Sequence, residues 1–253
     1  VLSDSLFQQE EPVVLDGAMG SLLVARSVAS LADPHHACLH APQAVSAVHA
    51  EYAQAGAKVA TTNTFLLLKE DEATAFEILA RAIELARPFG AVWVSLGPAA
   101  RAPSKLPSWW PLLAQADAVL FETWSGPDLL PWMELARMAP TPPLILSFCF
   151  QPDKTLTTAG WEPNRLADMA HQFGASAVGV NCGWEGGSEA SVRAVEAFRA
   201  QTRLPIVAKP ASCGLGPAAW ATMARRCVLA GARFVGGCCG TDPEYIRLFH
   251  GLS

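Results

Sequence analysis

The chain has 253 residues, of which 51% are hydrophobic and 16% charged, so it has enough apolar material for a sizeable buried core and is no candidate for disorder. Its net charge of -5, with no Lys/Arg cluster anywhere, excludes a basic face for nucleic acid and leaves small molecules or proteins as partners. Seven cysteines, an odd number in a chain too long to need a disulfide framework, point to a reducing compartment.

The N-terminal "VLSDSLFQQEEPVV" has neither the basic nor the continuous apolar region of a secretory signal, and no run reaches the length of a membrane span. A cytoplasmic location and no membrane contact are therefore expected. From residue 12 onward, short apolar β-branched runs alternate with segments of helical character. The runs are "PVVLDGAMG" (12–20), "AKVATTNTF" (57–65), "AVWVSLGP" (91–98), "DAVLFET" (117–123), "PLILSFCF" (143–150), "SAVGVNCGW" (176–184), "LPIVAKP" (204–210) and "ARFVGGCCG" (232–240). The helical segments between and after them tend to open on Pro, Asp or Ser and close on Gly, as cap chemistry requires.

Eight continuous rather than alternating apolar strands imply a parallel sheet covered on both faces, and eight βα units in this length imply a single-domain α/β fold, the (β/α)8 TIM barrel, spanning 1–253. An open dinucleotide-binding sheet is the competing topology, but "DGAMGSLL" has the wrong glycine spacing for its fingerprint. In a barrel, the C-terminal strand ends share one face. Here they carry Asp16, Thr62 and Asn63, Glu122 and Thr123, Asn181 and Cys182, and Cys238 and Cys239.

"GGCCGT" poses its own problem, since adjacent Cα atoms lie about 3.8 Å apart whereas unstrained disulfides want roughly 4.4 to 6.8 Å. In a regular strand the two side chains would also face opposite ways, so both converge on one point only where the strand ends, with Gly236, Gly237 and Gly240 supplying the freedom. A shared soft or borderline metal is the natural ligand. Strand seven alone separates strands six and eight, which lets Cys182 join the pair. Three thiolates and one open position suit a catalytic zinc site that activates a thiol substrate as a nucleophile.

Taken together, "LDGAMGS", "AGAKVATTNTF", "LFET", "GVNCGW" and "GGCCGTDPEYIR" resemble the zinc-dependent homocysteine S-methyltransferase family, from about residue 13 to 247. The family includes the homocysteine-binding barrel of cobalamin-dependent methionine synthase and the betaine and S-methylmethionine enzymes. The resemblance implies Zn2+ on Cys182, Cys238 and Cys239, homocysteine sulfur as fourth ligand, and methionine as product. It also implies that Asp16 and Glu122 hold the substrate's amino group, with Asn181, Thr62 and Asn63 lining the pocket. The alternative for the two carboxylates is a helix cap or a core ion pair, and for Asn181 a loop contact.

The stretches after strands two and three look short for the family, and "KPASCG" stands where the family has Pro-Asn-Ala-Gly. An open catalytic face would suit a large or protein-borne methyl donor. S-methylmethionine, betaine and a methyl-corrinoid protein remain the candidates, and in the last case the chain would act only as a homocysteine-binding subunit of a larger assembly. A zinc hydrolase is a weaker reading, for the strands lack the usual histidines. His35, His36, Cys38 and His40 fall in a segment expected to be irregular, Cys213 in a loop, Cys227 in a helix, and Trp109 and Trp110 are expected to cap the core.

Overall fold

The computed structural model describes residues 6–99, 106–152, 154–182 and 188–252. Gly183 and Trp184 of the sixth apolar run, and much of the stretch after the third, lie outside the described residues. All eight expected strands form: β1 (Val13–Val14), β2 (Val59–Thr61), β3 (Ala91–Leu96), β4 (Ala118–Trp124), β5 (Leu144–Phe148), β6 (Ala177–Cys182), β7 (Ile206–Pro210) and β8 (Phe234–Val235). Every pairing is parallel, in the order β1-β8-β7-β6-β5-β4-β3-β2. The amide of Lys58 donates to Val14 O at 2.8 Å across the remaining β1/β2 seam and nearly closes the barrel.

Nine α-helices stand among the described residues: α1 (Gly20–Ala25), α2 (Ala37–His40), α3 (Pro42–Gln54), α4 (Glu72–Ala86), α5 (Leu130–Ala136), α6 (Pro163–Gln172), α7 (Ser188–Gln201), α8 (Pro217–Leu229) and α9 (Pro243–His250). Their starts follow the expected chemistry. Asp71 caps α4 by accepting from the amides of Ala73 and Thr74, Asp242 caps α9 through Glu244, and proline opens α3, α6, α8 and α9. Among the described residues between β3 and β4 is a 3-10 helix, Trp110–Gln115, and both Trp109 and Trp110 are buried in the core as expected. The "HHACLH" segment is not irregular: a 3-10 turn (Pro34–His36) runs into α2, held where the amide of Asn63 donates to Pro34 O at 2.7 Å.

Two apolar layers hold the fold together. Side chains pointing outward from the strands pack under the helices, and those pointing inward fill the barrel's lower half with Val13, Val59, Trp93, Leu120, Ile145, Val207 and Phe234. Phe7 closes the bottom by stacking on Trp93, ring centroids 6.1 Å apart, and packing on Phe234. One pleat further along, the same inward positions become polar: Thr61, Ser95, Glu122, Ser147, Asn181 and Lys209, all buried. Burying so many polar groups is unfavourable unless each is partnered, so this layer marks the functional end of the barrel.

Candidate active site

Above the polar layer lies a cavity of about 420 Å³, within the size range of small-molecule sites. Its lining includes Thr62, Asn63, Glu122, Lys209 and all three candidate cysteines. The sulfurs converge as expected: Cys239 Sγ lies 4.0 Å from Cys182 Sγ and 4.0 Å from Cys238 Sγ, and all three fall within 4.8 Å of one another. These separations far exceed the roughly 2.05 Å of a disulfide, and they approach the edge of about 3.8 Å that a tetrahedral zinc with bonds near 2.3 Å requires. The donor set and its spacing therefore fit zinc.

Local backbone geometry explains the convergence. After Val235 the chain leaves the ladder, and Gly237 and Cys238 donate to Asp16 O (2.9 Å) and Pro210 O (3.0 Å). A Cβ on Gly237 would sit 2.1 Å from Thr241 Oγ1, so only glycine fits there. Gly240, at φ 76°, turns the chain back while Thr241 closes the turn on Cys238 O. Cys182 takes a left-handed φ of 60° at the end of β6, and Thr123 does the same (69°) at a break in the β4–β5 register. Non-glycine residues held in this region cluster at functional sites. Hydrogen bonds from Cys182 and Cys238 push the Cys239 thiol down to about 3, while Cys182, hydrogen-bonded to both neighbours, is raised. Without a cation the three sulfurs cannot all be anionic.

The two carboxylates occupy different environments. Asp16 accepts from the Thr61 amide (2.6 Å) and the Thr61 hydroxyl (2.7 Å), and its Oδ1 lies 3.3 Å from Lys209 Nζ. This is a core ion pair, the alternative weighed for Asp16, and it is 1% exposed at Asp16 and 4% at Lys209. Glu122 accepts from Ser95 Oγ at 2.5 Å and, among the described residues, has no ion-pair partner. Burial raises its pKa, Lys209 opposes the rise, and Cys238 and Asp16 add to it. Burial alone would lower the pKa of Lys209, but the surrounding anions Asp16, Glu122 and Cys238 hold it above the ordinary lysine value.

Asn181 is held at both ends of its carboxamide: its Oδ1 accepts from Thr123 N (2.9 Å) and Ser147 Oγ (2.7 Å), and its Nδ2 donates to Thr123 Oγ1 (2.6 Å). It fixes the strained Thr123 from beneath and is not among the described residues lining the cavity. Thr62 shares a 2.6 Å hydrogen bond with Thr64, and Asn63 holds the Pro34 turn while both line the cavity. His35 and His36 are each hydrogen-bonded to Glu70 Oε1, at 2.8 and 3.1 Å. Direct hydrogen bonds to one shared carboxylate oxygen account for this cluster, and among the described residues buried His35 Nδ1 has no acceptor of the kind that orients a metal-bound imidazole. Cys227 is buried in α8, and Cys213 (φ 49°) lies in the turn after β7, outside the sulfur group.

Thr61, Ser95, Ser147 and above all Lys209 escaped the sequence reading. Lys209 had one legible signal: a lone cation inside the apolar run "LPIVAKP", two residues after Val207 and so on the same inward face.

The profile of the homocysteine S-methyltransferase family matches residues 13–251. The chain belongs to this family. It is a methyltransferase enzyme with the family's barrel. Its structure is similar to that of the homocysteine methyltransferase MmuM from Escherichia coli in metallated form (TM-score 0.81, 23% identity, covering 98% of this chain and 99% of that one). The apo form of the same protein gives TM-score 0.77 at 25% identity, covering 98% of each chain. More distantly, the carboxyl transferase domain of Rhizobium etli pyruvate carboxylase shares the fold alone (TM-score 0.56, 15% identity, 98% of this chain and 48% of that one). No curated protein matches the chain. Among the described residues, no helix of this family member is long and apolar enough to cross a membrane.

Proposed function

We propose that this family member transfers a methyl group to homocysteine, forming methionine, with Zn2+ held by Cys182, Cys238 and Cys239. The observation that carries this reading is the meeting of three sulfurs from two separate strand ends beside a buried carboxylate that, among the described residues, has no ion-pair partner. Zinc in that position supplies a soft Lewis acid that keeps a thiol substrate deprotonated at neutral pH.

The chain's own groups do the rest. Glu122 receives the substrate ammonium. Asp16, already paired with Lys209, supports the same floor through Thr61. Thr62 and Asn63 wall the cavity, and Asn181 fixes the Thr123 turn beside Glu122. The thiol proton leaves to solvent on binding. The sulfur lone pair then attacks the methyl carbon in line, so that an S–C bond forms as the donor–methyl bond breaks, and the donor departs with that electron pair.

The test is methionine formation by zinc-loaded protein given L-homocysteine and, in turn, S-methylmethionine, betaine and a methyl-corrinoid protein. Turnover lost on chelation and restored by Zn2+ supports the reading, and no methionine with any donor contradicts it. Activity only with the corrinoid protein would identify the chain as the homocysteine-binding subunit, whereas ordinary rates with S-methylmethionine alone would refute that version.

A further inference from the structure

Homocysteine brings a carboxylate and an ammonium on the same carbon, and both must be desolvated to enter the cavity. Leaving either unpaired there is costly. Glu122 answers the ammonium. Among the described residues lining the cavity, Lys209 is the one permanently charged cation. His35 also lines it, but burial lowers its pKa and favours the neutral ring, despite the opposing pull of Glu70.

Lys209 sits on β7 between Asp16 and the cavity. Its ammonium donates to Asp16 Oδ1 (3.3 Å) and Thr61 Oγ1 (3.2 Å), and among the described residues no third acceptor lies within reach. A lysine ammonium has three N–H donors, so one remains for a ligand. Lys209 and Glu122 both point inward in the same polar layer and form no direct ion pair with each other. Lys209, paired with Asp16, and Glu122, bonded to Ser95, thus present one positive and one negative charge to the same cavity.

We propose that Lys209 binds the α-carboxylate of the thiol substrate through its remaining N–H, so that Lys209 and Glu122 together select a zwitterionic amino-acid thiol. Asp16 serves as the counter-ion that holds the Lys209 ammonium in place, and Thr61 anchors both. The site thus has one carboxylate, not two, for the substrate's amino group, with a cation beside it for the acid group. This assignment rests on homocysteine being the acceptor.

The experiment is isothermal titration of zinc-loaded protein with three thiols: L-homocysteine, 3-aminopropane-1-thiol, which lacks the carboxylate, and 4-sulfanylbutanoate, which lacks the ammonium. A charge-assisted bond inside a cavity predicts that the wild type binds 3-aminopropane-1-thiol about 10- to 100-fold more weakly than homocysteine. Lys209→Gln, which can still donate to Asp16, is expected to shrink that ratio to less than about threefold while leaving the penalty for losing the ammonium in place. The ratio persisting in Lys209→Gln, with homocysteine still bound, overturns the role of Lys209 and leaves the homocysteine reading intact. Equal affinity of the wild type for homocysteine and 3-aminopropane-1-thiol overturns it with no variant needed. Wild-type protein that binds none of the three thiols overturns both.

Discussion

At the residue scale the site divides into groups that hold a ligand and groups that hold those groups. On the proposed function, Glu122 belongs to the first kind. Its carboxylate must be ionised to receive an ammonium, and burial raises its pKa, so homocysteine affinity is expected to fall on acidification at higher pH than an exposed glutamate would allow. Glu122→Gln should weaken homocysteine binding about 10- to 100-fold and flatten this part of the pH profile. Titration calorimetry across pH, with zinc content checked at each point, measures both. An unchanged profile in the variant would assign the acid limb to another group. Cysteine is rare enough that Cys182, Cys238 and Cys239 were legible as a set from their strand-end positions. The pairing of Lys209 with Asp16 was not, because it joins β7 to the end of β1, and no local pattern reports a contact across 193 positions.

At the element scale the strands were legible because their apolar runs are short, β-branched and continuous, the pattern of strands buried on both faces, yet β1 and β8 shrink to two residues each. Their remaining residues leave the ladder to build the site: Asp16 turns to Thr61, and the glycines after Val235 fold over to seat the cysteines. The 3-10 turn and α2 at 34–40 were illegible because their order comes from Asn63 and Glu70, remote in sequence. In β6, Gly179 lies so close to β7 that a Cβ would stand 2.2 Å from Val207 O. Gly179→Ala is therefore expected to push the two strands apart, destabilising the fold by about 1–3 kcal/mol and weakening metal retention, since Cys182 ends the same strand. Denaturant melts and metal analysis check both, and wild-type values in each would refute it.

Helix α3 offers a second test. His49 is buried against Phe89, ring centroids 6.2 Å apart, with neither ring nitrogen hydrogen-bonded to any described residue, and burial pushes its pKa down to about 4. A depressed histidine leaves stability untouched above the unfolded pKa near 6.5. As pH falls from there toward 4, the unfolded chain takes up a proton that the folded one refuses. Stability should decline by up to about 3 kcal/mol over that window, and His49→Phe, which keeps the stacked ring, should remove this part of the decline. Chemical denaturation at several pH values decides it. An identical decline in the variant would exclude His49 as its source.

At the scale of the whole molecule, one barrel separates two tasks. Its lower interior is apolar and closed by Phe7, its upper interior polar and open to the cavity, and a single pleat divides them. The carboxylate of Asp16 bridges the β1/β2 seam by accepting from Thr61 N, so the ion pair with Lys209 also ties β7 to the place where the sheet closes least completely. The side chains proposed to hold zinc and substrate come from β4, β6, β7 and the turn after β8, so they meet only when the barrel is closed. The most direct measurement is zinc-edge X-ray absorption on metal-loaded protein before and after L-homocysteine. Three protein sulfurs rising to four in the wild type, with one fewer in Cys239→Ala, is the expected result. A sulfur count that stays at three when homocysteine is bound, or a metal held by nitrogen and oxygen instead, would contradict the assignment.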